Sequence, residues 1–262
     1  MRKEEKVSII ITNYKKEKFL RKAITSCINQ DHSNLEIIVV DDFSDSATCE
    51  KIIKEISDKR VRLIAVSKNY GHYMCCNYAL DKATGRFATF LGGDDFLEKN
   101  HISSLLKAVS GNKKTVQAAI CMYIRQDREG AYRGSKKICE AALFFERARV
   151  LSDIGYFHPV RFGADSEFRE RLLAYYGSSS IFNTKQLTYK SLYLPDSLTT
   201  SPASRAGSKT RAVYVKRFRK NIKENLKDCF FDYKTDRLPF SAGPNNETDK
   251  FDIKFFKEIK LW

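Results

Sequence analysis

Long apolar runs are missing from this 262-residue chain. Stretches such as VSIII (7–11) and LEIIVV (35–40) are only five or six residues long, whereas a bilayer-spanning helix needs about 20. The sequence therefore predicts no transmembrane segment. The basic leader MRKEEK precedes a run too short for a signal peptide and lacks a small-residue cleavage site, so the expected location is the cytoplasm. Metal-binding cysteine spacing is absent too. Cys27, Cys49, Cys75, Cys76, Cys121, Cys139 and Cys229 form no CxxC pair and no Cys/His pattern suited to zinc. An odd, scattered set predicts free thiols in a reducing compartment. Internal repeats and low-complexity tracts are also lacking.

Positive charge is plentiful. Lys and Arg number 47 against 32 Asp and Glu, a net charge of +15. The excess implies an acidic partner: nucleic acid, an anionic membrane face or a phosphorylated substrate. Hydrophobic residues make up 42% of the chain, enough for the core of one large domain.

The first half alternates two periodicities. Strand-like runs at 7–11, 35–40, 61–66 and 86–91 are separated by helix-like segments at 17–30, 47–58 and 72–85. In the first helix Phe19, Leu20, Ala23, Ile24, Cys27 and Ile28 recur at helical spacing. Gly85 reads as the glycine that ends the third helix. Such alternation predicts an α/β fold with a mostly parallel, doubly wound sheet, whose ligand site lies in loops at the C-terminal strand ends. Three of those loops, TNYKK, DDFSD and GGDD, are polar, and the last two carry paired aspartates. The second half predicts helices at 97–109, 142–157 and 163–177, and strands at 115–124 and 187–194. A Pro/Ser/Thr/Gly-rich loop follows at 195–211. At 211–230 an amphipathic basic helix carries Val215, Phe218, Ile222 and Leu226 on one stripe. Residues 231–262 hold no readable motif.

These motifs, in this order, resemble the GT-A-fold inverting glycosyltransferases of family 2, which build bacterial capsules and lipopolysaccharides. VSIIITNYKKEKFLRKAITSCINQ, LEIIVVDDFSD, FATFLGGDD and FGADSEFRERL carry the resemblance, which covers roughly residues 6–195. It implies a catalytic domain over 1–200, with a nucleotide half at about 1–95 and an acceptor half at about 96–200. A basic helical extension would occupy 201–262. The implied donor is a nucleotide diphosphate sugar, typically of uridine diphosphate, and the acceptor a glycan or lipid-linked saccharide. Thr12 and Tyr14 match nucleoside-pocket positions. Asp42 matches the acceptor for the base N–H, with Asp41 supporting its loop. Lys68, Asn69, Gly71 and Asn77 match donor-side positions after the third strand, and Cys76 stands at the family's arginine. Asp94 and Asp95 match the pair that meets ribose and a Mn²⁺ or Mg²⁺ ion, Asp95 being favoured for the metal. Gly92 replaces the family's usual first aspartate. Asp165 matches the general base that takes the acceptor proton, and Glu167 is its lesser alternative. His32, His72, His101 and His158 all precede that base, so phosphate oxygens and water would complete the metal shell.

Plainer readings stand beside these. Asp94 and Asp95 could cap a helix beginning near Leu97, Asp41 and Asp42 could cap the helix at 47–58, and Asp165 could be an N-terminal helix charge. The basic helix either docks on an anionic inner leaflet or packs its stripe on the domain and leaves its lysines solvated. A nucleotidyltransferase would need a glycine-rich loop after the first strand, and ITNYKKEKF has no glycine. The aspartate loops argue against a nucleic-acid-binding protein, because they would repel a phosphate backbone. An inactive, donor-binding transferase is a further alternative, given Gly92 and Cys76.

Overall fold

β1 (Val7–Asn13) and β2 (Leu35–Asp41) are apolar at nearly every position because both of their faces are covered. Ile9 and Ile11 pack with buried residues of α1 (Glu17–Ile28) and α2 (Ser46–Ile56). Ile10 packs in the opposite layer with α3 (His72–Lys82). With β3 (Val61–Val66) and β4 (Phe87–Gly92), they form a parallel set ordered β3-β2-β1-β4. The computed structural model describes residues 4–262 apart from 112–115, 196, 203, 206, 239, 243–245 and 247–251.

After β4 come β5 (Phe96–Leu97), α4 (His101–Gly111), β6 (Ala118–Gln126), β7 (Tyr132–Ile138) and β8 (Phe144–Glu146). α5 (Arg147–Ile154), α6 (Ala164–Tyr176), β9 (Ile181–Leu192), α7 (Lys209–Glu224) and β10 (Phe256–Ile259) complete the chain. The sheet has ten strands in the order β10-β3-β2-β1-β4-β8-β6-β9-β5, with β7 paired to β6. It is mixed rather than mostly parallel. β8 runs antiparallel to both β4 and β6, and β10, β5 and β7 are also antiparallel to their neighbours.

Several expected elements change type. Phe144–Glu146 form a strand against β4, so the helix expected over 142–157 begins only at Arg147. Phe96 and Leu97 pair with Lys190 and Tyr189 as β5, which delays the next helix to His101. Asp94 and Asp95 therefore cap no helix near Leu97. The strand expected over 115–124 begins at Ala118 among the described residues, Thr115 lying outside them. The strand expected over 187–194 begins as early as Ile181 and ends at Leu192. Gly85 is not a left-handed cap. A Cβ there would lie 2.5 Å from the backbone nitrogen of Ser8, so glycine lets the chain cross β1 at that point.

The basic helix occupies Lys209–Glu224, and a short 3₁₀ turn follows at Leu226–Cys229. Tyr214 and Phe218 are fully buried in the core shared by α3, α5 and α6, with Val215 and Ile222 packed at its margin. The apolar stripe is thus consumed by packing on the domain. The tail is not wholly helical, since β10 covers the edge of β3 and Phe256 stacks on Tyr78 at 4.1 Å.

Candidate active site

The register of the parallel strands sets the acidic loops side by side. Asn13 pairs with Asp41, and Thr12 pairs with Gly92. Beyond the last pairs, Asp42 N–H donates to Asn13 O at 2.8 Å and Gly93 N–H to Thr12 O at 2.9 Å.

Asp41 and Asp42 build the second loop. The helix cap that the plainer reading assigns to them falls to Asp45, which accepts from Thr48 N–H at 3.1 Å. Asp42 Oδ1 accepts from Tyr70 N–H at 2.8 Å, and Oδ2 accepts from Gly71 N–H at 2.9 Å and from Asn69 Nδ2 at 3.1 Å. Its carboxylate thus fixes the loop after β3, and the Cys75 thiol is a further donor to it. Burial pushes the Asp42 carboxyl up, against the pull of those backbone N–H groups and of the Arg161 charge. Arg161 itself donates to Asn69 Oδ1. Asp41 accepts from Asn13 Nδ2 at 3.1 Å beside Glu17 and Cys49. Those three are the one group of His, Cys, Asp and Glu ligand atoms clustered tightly enough for a metal among the described residues. The Asn13 amide already sits within that group, donating to Glu17 at 3.3 Å as well, so the group reads as a lock between the first two loops.

The GGDD turn brings Asp94 and Asp95 together. A Cβ on Gly92 would lie 2.9 Å from Asp95 Oδ2 and 3.2 Å from Asp94 Oδ1, so both carboxylates converge over a residue with no side chain. Lys16 Nζ approaches Asp94 Oδ2 at 3.3 Å. Asp95 Oδ2 accepts from the Tyr189 hydroxyl at 2.6 Å and Oδ1 from Leu192 N–H at 2.8 Å. Burial, followed by the charge of Asp94, pushes the Asp95 carboxyl up to about 7. Two converging carboxylates short of positive charge fit a hard divalent cation. The donor set is oxygen-only, as Mg²⁺ and Mn²⁺ prefer.

Asp165 lies in the first turn of α6 after Gly163, whose φ of 90° starts the helix. Tyr73 on α3 donates to Asp165 Oδ1 at 2.8 Å. Next to it, His72 Nδ1 meets Thr12 Oγ1 at 2.7 Å. Burial lowers the pKa of His72, which favours the neutral imidazole, while Asp165 pulls the other way. Tyr123 lies half-buried on β6. Its phenol is pushed up by burial, Arg125 pulls it down, and the charges of Cys139, Asp95 and Asp165 push it up further.

Tyr14 stands exposed at the rim, and Lys68 lies over the Tyr70 ring at 5.8 Å. Gly71 starts α3 with a φ of 87°. Two expected residues lie elsewhere. Asn77 is fully buried, and its amide is bonded at both ends to the backbone of Phe157, at 2.8 and 3.0 Å. It belongs to the wall under the site rather than to its contacts. Glu167 is fully buried against Arg171 at 2.8 Å, which removes it as an alternative base. Lys16, His72, Tyr73 and Tyr189 were missed by sequence reasoning. Lys16 alone had a signal, a cation within the first polar loop.

The family model of glycosyl transferase family 2 matches residues 8–169, more than half of the chain. Among curated proteins, the chain is 37% identical over 105 residues to the Escherichia coli UDP-Glc:alpha-D-GlcNAc-diphosphoundecaprenol beta-1,3-glucosyltransferase WfgD. That match covers 38% of this chain and 41% of the relative. It is also 37% identical over 106 residues to a Campylobacter jejuni GalNAc(5)-diNAcBac-PP-undecaprenol beta-1,3-glucosyltransferase, covering 39% and 34%. The chain thus spans less than half the length of these relatives. The structure of S. aureus TarS in complex with UDP-GlcNAc superposes with a TM-score of 0.63 at 20% identity, over 83% of this chain and 65% of that one. A Pyrobaculum calidifontis mannosyltransferase in complex with GDP-Man and Mn²⁺ gives 0.62 at 18% identity, over 83% and 65%. A family match of this extent, on a sheet whose strand ends carry the matching acidic loops, makes the chain a member of glycosyl transferase family 2 with a GT-A fold.

Proposed function

We propose that this chain transfers a sugar from a nucleotide diphosphate sugar, a uridine diphosphate donor, to a hydroxyl of a glycan or lipid-linked saccharide, inverting the anomeric centre. The observation that carries the reading is the placement of two carboxylate centres: the converging Asp94–Asp95 pair at the strand ends, and Asp165, bonded to Tyr73 next to the His72 that meets the Thr12 loop. The names of the relatives, two of which act on diphosphoundecaprenol-linked acceptors, support the same substrate class.

Thr12, Tyr14 and the loop held by Asp42 receive the nucleoside, with Lys68 and Gly71 at its edge, and the Asp42 carboxylate accepts the pyrimidine N–H. Asp94 lies toward the ribose. Mn²⁺ or Mg²⁺ held by Asp95 and Asp94 would offset the charge growing on the departing diphosphate. Asp165 accepts the proton of the attacking hydroxyl on the opposite face. The donor half spans about 1–95 and the acceptor half about 96–200, and in the remaining tail α7 and β10 brace the domain.

A thermal-shift panel of nucleotide sugars, each with and without Mn²⁺, tests this reading. One uridine diphosphate sugar should raise the melting temperature by about 5 °C near saturation, since a ligand at a hundred times its Kd adds about 2.7 kcal/mol. The rise should need the ion. A flat response to every donor would remove the proposal.

The acceptor's lipid anchor gives α7 a role. Lys216, Arg217, Lys220 and Lys223 are exposed on the helix whose apolar side is buried. No helix among the described residues is long and apolar enough to cross a membrane. Contact with an anionic inner leaflet is therefore electrostatic, at about 1 kcal/mol per basic residue near the surface. Co-sedimentation with phosphatidylglycerol vesicles should be strong at low salt and vanish at high salt. Equal binding to neutral vesicles, or none at low salt, would rule this docking out.

A further inference from the structure

Tyr73 makes contacts that packing alone does not require. Its ring lies edge-on to His72 at 4.7 Å and tilted on Phe157 at 5.5 Å, and the side chain is buried. A phenylalanine would satisfy those contacts. The hydroxyl does more: it accepts from Gly163 N–H at 3.2 Å and donates to Asp165 Oδ1 at 2.8 Å. With Gly163 N–H on the phenolic oxygen, the one hydroxyl proton is directed at the carboxylate. Burial, reinforced by the charge of Asp165, pushes the phenol well above its ordinary range, so the donor keeps its proton. Among the described residues no hydrogen bond from the protein engages Asp165 Oδ2, and the residue is half-buried. One oxygen is held while the other is open.

We propose that Tyr73 is the positioning residue of Asp165: its hydroxyl anchors Oδ1 and thereby leaves Oδ2 as the atom that receives the acceptor's proton. The inference rests on the reading of Asp165 as the base. In the step, the acceptor O–H proton moves to Oδ2 as the acceptor oxygen bonds to the anomeric carbon. The bond from that carbon to the diphosphate oxygen breaks, and its electron pair leaves with the diphosphate. Gly163 N–H ties the same hydroxyl to the turn that starts α6, so base and helix start are set by one group. Among carboxylates a hydrogen bond to the charged form is a strong one, and misplacing a reacting group by about 1 Å can cost about a hundredfold in rate.

Y73F, D165N and the double variant test this, with UDP-glucose and undecaprenyl-diphosphate-linked N-acetylglucosamine as substrates. Y73F should lower kcat about 10- to 100-fold with the donor KM unchanged, and it should add no further loss to D165N. Additive losses, or an unchanged kcat in Y73F, would overturn the inference. If D165N itself keeps near-normal turnover, the base reading fails instead, and the two failures are thus distinct. A second measurement stands apart from activity. In a chain carrying ¹³C at aspartate carboxyls, the Asp165 resonance, identified by its loss in D165N, should move in Y73F at neutral pH. An unmoved resonance removes the contact, whatever the kinetics.

Discussion

Asp165→Asn is expected to abolish transfer while leaving donor binding intact. The amide fills the same volume, can still accept from the Tyr73 hydroxyl through its oxygen, and leaves the Gly163 turn untouched. What it loses is the capacity to take a proton. General-base assistance contributes about 10²- to 10⁴-fold, so turnover should fall by that factor, with the Mn²⁺-dependent thermal shift of the donor complex unchanged. The two readouts answer different questions. A lost thermal shift would place Asp165 among the donor contacts, and near-normal turnover would show that the acceptor proton leaves by another route. Glu167 offers no such route, because it is fully enclosed and bonded to Arg171.

The second large effect concerns that enclosed pair. Arg171 Nη2 meets Glu167 Oε2 at 2.8 Å and Tyr156 O at 2.8 Å, and Nη1 meets Ile154 O. Glu167 Oε1 lies 3.6 Å from His158 Nε2. His158 in turn holds the Tyr214 hydroxyl of α7 at 3.0 Å and the Cys229 carbonyl at 2.9 Å. Arg171→Met keeps much of the side-chain volume and strands a buried carboxyl, a change that costs about 3–5 kcal/mol. For a domain of this size the melting temperature should drop by about 10 °C. Burial, against the pull of Arg171, pushes the Glu167 carboxyl up to about 7. Its folded value therefore exceeds its ordinary one. The neutral form is the better tolerated, its contribution is full below about 4.5, and it is lost as pH rises through about 7. Without Arg171 the carboxyl rises further, so the deficit of Arg171→Met should be larger at pH 8 than at pH 6. Glu167→Leu combined with Arg171→Met should recover most of the loss, since an apolar pair leaves no uncompensated charge. A deficit independent of pH, measured by thermal melts across that range, would show that Glu167 is not the stranded group.

The first half of the fold was legible because period and covering coincide there. β1 to β4 are short buried runs, and α1 and α2 show one apolar face each. The second half hid its strands for separate reasons. Phe144–Glu146 sits inside an apolar stretch whose spacing suits a helix, and only its antiparallel pairing with β4 and β6 makes it a strand. β7 reads YRGSKKI and is exposed along its whole length, so it carries no apolar alternation. β10 is an edge strand of four residues whose place is set by β3, nearly 200 positions away in sequence. At the site, Asp94, Asp95, Asp42 and Asp165 were visible as motif positions. Tyr73, His72 and Tyr189 were not, because a tyrosine or histidine gains its meaning only from the carboxylate or hydroxyl that folding sets beside it. Asn77 shows the converse: a motif position whose amide the fold has already engaged.

The bare backbone at Gly92 also constrains how this site can change. A side chain there would press on the oxygens of both neighbouring aspartates, and the family's usual residue would add a third negative charge to a pair already short of positive charge. Returning this chain to the common pattern by one substitution is thus blocked unless Asp94 and Asp95 first re-aim. The tolerance of any one of the three positions is conditional on the state of the other two.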